Sequence, residues 1–135
     1  MNHAELRKEI RSHLMERMSQ RDLDQVEDYA DDMFRNVGVD IEFTNHFIDR
    51  LNDPRNGKEI ESQELMDLFA KTYRKYGQKI PNFRKGTEAV INDLNTNINI
   101  PFALVYNNAA KIYELVSKTI MRKKNFNTPG MKLKV

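Results

Sequence analysis

His46 lies in a polar stretch, DIEFTNHFIDRLNDPRNGKEI at residues 40–60, with Arg50, Arg55 and the aspartates 40, 49 and 53 around it. Thr44 is a predicted N-cap, and Phe43 and Ile48 are spaced to form a hydrophobic staple across it. That reading places His46 in a first helical turn, near unpaired N–H groups and the positive end of the helix dipole. The dipole disfavours imidazolium, so His46 is expected to be neutral, the state a general base requires. The same helix end can hold an anion. His46, Arg50 and Asp53 fall at i, i+4 and i+7 on one face, while Phe47, Ile48 and Leu51 face a core. A neutral histidine one turn from an arginine can begin phosphodiester cleavage by a 2′-hydroxyl. The histidine removes the proton, and the arginine stabilises charge on the phosphorane. The competing reading is a surface ion pair between Arg50 and Asp53, worth at most about 1 kcal/mol.

A second group is MRKKNF at 121–126. It follows a predicted strand, so Arg122, Lys123 and Lys124 are expected to cluster at a sheet end. Phe126 is then available to stack on a base. With Lys118 and Arg55 these residues make a candidate nucleic-acid surface; a solvated charged surface is the alternative. Tyr106, Lys118 and Thr119 can line the sheet. Asp93, Thr96, Asn97 and Asn99 surround a turn, which accounts for their residue types. The chain has no cysteine, which excludes disulfides and thiolate metal sites. His3 and His13 are not at ligand spacing, so no metal or other cofactor is expected.

The elements that must position these groups follow from periodicity. Leu6, Ile10, Leu14 and Met18 predict a helix over about 3–18. After Ser19, Leu23, Val26, Ala30, Met33 and Val37 form a heptad seam that ends at Gly38. Residues 1–38 therefore read as an acidic helical hairpin appended to a domain spanning 39–135. Its seam, residues 23–37, is expected to bind a protein partner or a second copy. Within the domain, VDIEF reads as a short strand, NHFIDRLND as a short helix, and 63–76 as a helix capped by Ser62. Three β-rich runs follow, joined by Asn-rich turns, and MKLKV can add an edge strand. The fold class is α+β: helices on one face of a twisted antiparallel meander of about four strands. Ile98, Ile100, Phe102, Leu104 and Tyr106 give the sheet an apolar side for the helices. Asn99, Pro101 and Ala103 leave the other side open to a ligand.

The chain of 135 residues carries a net charge of +2, unevenly spread. Residues 1–40 hold 6 Lys and Arg against 10 Asp and Glu, and residues 41–135 hold 16 against 10. A basic body suits a polyanionic partner. No apolar run reaches the roughly 18 residues of a membrane span, and the N-terminus lacks a signal-peptide core, so a soluble intracellular protein is expected.

Taken together, NHFIDRLNDPRNGKEI, the helix ELMDLFAKTYRKYG and the run LVSKTIMRKKNF resemble a family of small phage-encoded proteins. That family belongs to the barnase–EndoU–colicin–RelE-like nuclease group. HFIDR is similar to the His-Leu-Leu-Asp-Arg element of RegB-type phage endoribonucleases, which precedes a Glu-Leu-Phe helix. The resemblance covers roughly residues 40–126. It implies a RelE/RegB-like fold and a metal-independent endoribonuclease with His46 and Arg50 in the catalytic places. It further implies phage origin and a location in the host cytoplasm or virion. RegB-type catalysis uses a second histidine, and none follows His46. RelE-type enzymes use Lys, Arg and Tyr on the sheet, so Lys118, Arg122, Lys123 or Tyr106 could substitute. The other function compatible with the scaffold is a non-catalytic virion-associated or host-protein-binding module.

Overall fold

Residues 18–135 are described in the computed structural model; the helix predicted over 3–18 otherwise lies outside them. Helix α1, Gln20–Phe34, starts at a reciprocal capping box: the Ser19 hydroxyl accepts from Asp22 N–H, and the Asp22 carboxylate accepts from Ser19 N–H. Each contact satisfies a backbone donor that the helix leaves unpaired. Leu23, Val26, Ala30 and Phe34 turn one buried face toward helix α3, Ser62–Tyr76, and strand β1, Val39–Phe43. A 3₁₀ turn at Arg35–Val37 and Gly38, at φ 75°, redirect the chain into β1. Positive φ costs a residue with a Cβ, which explains glycine there. Helix α2, Phe47–Leu51, is short and is followed by a 3₁₀ turn at Pro54–Asn56. The cap of α3 is Glu61, one residue before the predicted Ser62, in a capping box with Glu64.

The sheet contains β1, β2 (Glu88–Asn92), β3 (Ile98–Asn107), β4 (Ile112–Ser117), β5 (Met121–Arg122) and β6 (Met131–Lys134). Its order is β1-β4-β3-β2-β6, with β5 also paired to β3. Only the β2–β3–β4 centre is the predicted meander. β1 pairs parallel with β4, and β6 pairs parallel with β2. The sheet is therefore mixed and six-stranded, not an antiparallel sheet of four. Hairpin turns enforce antiparallel pairing, but both edge strands join the rest of the chain through long connections that impose no such rule.

The predicted strand through KIYELVSKTIMR breaks into β4 and β5 opposite Pro101. Proline has no N–H to offer a ladder, and here the chain bulges through residues 118–120. Ser117, fully buried, bridges the gap: its hydroxyl donates to Pro101 C=O at 2.6 Å and lies 2.9 Å from Thr119 C=O. The predicted alternation along β3 holds on the helix side, where Ile98, Ile100, Phe102 and Leu104 are buried.

Leu23, Val26 and Ala30 join the same hydrophobic core as Phe69, Ile91, Ile100 and Leu115. The seam at 23–37 is thus covered by the chain itself, and the expected docking or dimer surface is absent from it. Nor do residues 18–38 form a separate appendage. Met18 N–H donates to the Asn52 side-chain oxygen at 2.8 Å, and the Asn52 amide donates to Met18 C=O at 2.9 Å, fastening the start of α1 to α2. Among the described residues no helix is long and apolar enough to cross a membrane.

Candidate functional site

The backbone of Thr44 extends the β1–β4 pairing by one bond, donating to Ser117 C=O at 3.0 Å. Its hydroxyl caps nothing: Oγ1 is buried without a partner among the described residues. The N-cap is His46, one position before the first helical turn, with no side-chain capping bond. Phe47 stacks on Phe43, ring centroids 4.3 Å apart and nearly parallel. Phe47 and Leu51 are buried, which holds α2 against the core and turns His46 and Arg50 outward. Both side chains are exposed, and neither makes a hydrogen bond or ion pair among the described residues. Asp53 pairs with Arg55, at 2.9 Å, rather than with Arg50. The Arg55 side chain, then its backbone N–H, holds the Asp53 carboxyl below the usual carboxylate range. Asp53 thereby occupies the cation assigned to RNA at position 55, in an exposed pair that gives little stability.

Asn56 is the residue that sequence reasoning missed; within PRNGK it reads as an ordinary turn residue. It is buried, and its amide donates to Arg50 C=O at 2.9 Å and Leu51 C=O at 3.1 Å, closing the C-terminal end of α2. Its oxygen accepts the Arg122 N–H at 3.0 Å. One side chain therefore joins the two segments singled out in the sequence, 66 residues apart. No local signal could have shown this.

Arg122 was expected to meet phosphate, and the structure assigns it elsewhere. Nε donates to Lys58 C=O; one terminal nitrogen donates to Thr96 C=O and Glu64, the other to Glu59 C=O and Glu64. All five guanidinium N–H groups are used. The nearest contact to the Glu64 carboxylate is 2.8 Å, with both side chains about 85% buried. Burial alone would push Glu64 upward, but the Arg122 hydrogen bonds and the Glu61 N–H outweigh it and hold the carboxyl below its ordinary value.

The neighbouring lysines fare differently. Lys123 is tied through its backbone alone, N–H to Asn97 C=O and C=O from the Asn99 amide, and the side chains of Lys123 and Lys124 are exposed. Phe126 is half-buried, and its carbonyl accepts from the Lys132 ammonium. Tyr106 packs edge-on against Tyr113, centroids 5.0 Å apart. It is seven residues along β3 from Asn99, about 23 Å at strand rise, so it does not belong to this junction. Lys118 lies in the β4–β5 bulge and lines a groove on the open sheet face. Asn99 is buried beneath β5, donating to the Met121 and Lys123 carbonyls, and so is not open to a ligand.

Arg50 and Lys58 thus flank the Asn56–Arg122 bond, with exposed Lys123 and Lys124 next along the chain and Arg122 as the internal brace; exposed His46 stands at the opposite, N-terminal end of α2. Compared with family models, curated proteins and solved structures, the chain matches none.

Proposed function

We propose that the protein binds RNA at the α2–Asn56–β5 junction and cleaves it, without a metal, by 2′-hydroxyl attack. The observation that carries this reading is the Asn56–Arg122 bond. It unites the HFIDR segment and the MRKKNF segment, which lie in two of the three stretches that carry the resemblance to RelE/RegB-type phage nucleases. His46, exposed, is the base for the 2′-hydroxyl proton; the 2′-O–P bond forms as the P–O5′ bond breaks, leaving a 2′,3′-cyclic phosphate, and the departing 5′-oxygen takes its proton from the imidazolium or from water. Arg50, one helical turn on, meets the non-bridging oxygens as charge develops. Lys123 and Lys124 hold flanking phosphates. Arg122 has a positioning role only, fixing the lysine run against the end of α2.

The test is incubation with a labelled RNA pool at low salt, with and without EDTA. Wild type is expected to cleave in both, and His46→Ala to be slower by about 10²–10⁴-fold, the usual contribution of a general base. RNA binding by His46→Ala should persist. Lys123→Gln with Lys124→Gln should weaken binding and flatten its salt dependence, because each lost phosphate contact releases fewer counterions. Neither binding nor cleavage by wild type would refute the reading.

A second reading has one observation in its favour. Among the described residues His46 has no partner to orient its ring, and productive acid–base pairs are normally oriented by a further group. On that reading the chain is a non-catalytic binding module. Binding without cleavage, equal in wild type and His46→Ala, would select it.

A further inference from the structure

The sheet face turned away from the helices has a character unsuited to a polyanion. Ile41, Leu115, Leu104, Phe102 and Ile91 fill the helix side, so their strand neighbours point the other way. The pairing register aligns those neighbours. Glu42 lies beside Val116, which lies opposite Ala103, which lies opposite Glu88. In the next row Asp40 lies beside Glu114, which lies opposite Val105. The central strands thus carry an apolar strip, Val90, Pro101, Ala103, Val105 and Val116, with carboxylates on either side. Above it the 128–130 loop closes one wall, leaving a groove of about 670 Å³. Val105 is 46% exposed in a strand at the middle of the sheet, an unusual cost for an apolar side chain with no cover. Among the described residues Lys118 is the one cation lining this groove. It stands at the bulge, four residues or about 13 Å along the strand from Glu114.

We infer that this face docks an extended basic segment of a partner protein, its apolar side chains in the groove and its Lys or Arg side chains against Asp40, Glu42 and Glu114. Charge complementarity selects this occupant. Three carboxylates crowd one end of the strip, and a bound cation would relieve their repulsion. Consistent with crowding, burial and then Glu114, Asp31 and Asp40 push the Glu42 carboxyl above its ordinary value. An acidic or nucleic-acid ligand would meet the same carboxylates unfavourably. The inference is independent of the RNA site, which lies on other residues.

Fluorescence anisotropy with an eight-residue labelled peptide alternating Lys and Val tests it, beside a Glu and Val peptide. The Lys peptide is expected to bind the full chain at low salt, and the Glu peptide not to bind. Glu42→Gln with Glu114→Gln should weaken binding at least fivefold, and Val105→Lys should abolish it. Amide chemical-shift mapping on unmodified protein gives a reading that no variant's folding can spoil. The largest changes should fall on Ala103, Val105 and Val116. Equal binding of both peptides, shifts elsewhere, or no binding of the Lys peptide would overturn the inference. So would a dimer of the free protein that Val105→Lys dissociates, since a second copy would then be the occupant.

Discussion

Arg122 shows how far a single side chain can depart from what its neighbours in sequence imply. In MRKKNF it stands with two lysines, yet its guanidinium has no donor left for a phosphate. Replacing it with methionine would leave the Glu64 carboxylate and three carbonyls short of donors in a mostly buried place. The expected loss is about 3 kcal/mol in urea unfolding. Arg122→Met with Glu64→Leu should recover a substantial part of it, because the stranded charge is removed as well. A loss under about 1 kcal/mol in the single variant would mean that water replaces these contacts. His46 makes the opposite case: its exposure suits a working group, but the helix is capped two residues later than the predicted Thr44, so His46 is the N-cap and not a first-turn residue. The hydroxyl of Thr44, drawn into the interior beside the β1–β4 pairing, cannot cap α2, so the helix begins later.

At the scale of elements, α1 was legible as a helix and its apolar stripe as a stripe, but the stripe's partner was not. Heptad spacing states that a face must be covered, and it does not state by what. The cover is α3 and β1. Leu23→Ala should therefore cost about 2–5 kcal/mol of folding stability, with a molecular mass that does not depend on concentration. A dimer that Leu23→Ala converts to a folded monomer would contradict this assignment. The sheet repeats the lesson. Alternation gave the buried face of β3 correctly, since it follows from strand geometry alone. Parallel pairing of β1 and β6 leaves no trace in alternation, and the bulge at 118–120 depends on which residue of β3 lies opposite. Pro101 was visible throughout; that it faced the predicted strand at the break was not.

Across the whole molecule, carboxylates crowd on α1 and β1, which present Asp24, Glu27, Asp28, Asp31, Asp40 and Glu42, on segments apart from those that carry Arg50, Lys58, Lys123 and Lys124. Burial, then Glu42, Asp31, Asp24 and Asp28, push Glu27 up from 4.5 to about 7. A carboxyl raised on folding binds its proton more tightly in the folded state, so its contribution is fully present below pH 4.5 and is lost as pH rises through 7. Allowing for solvent screening of this half-buried group, stability should fall by about 1 kcal/mol between pH 5 and 8. Glu27→Gln should remove most of that slope; an unchanged slope would place its origin elsewhere. The charge imbalance behind this separation was already present in the sequence, as were the helix faces, the turn residues and the apolar side of β3. Each of these is a local or summed property of the chain, fixed by spacing and composition. Whether a given cation is free, which surface covers an apolar stripe, and which face of the sheet is acidic depend on partners as far as 66 residues away. Only tertiary contact decides those, because a hydrogen bond or an ion pair is determined by distance in space and not along the chain.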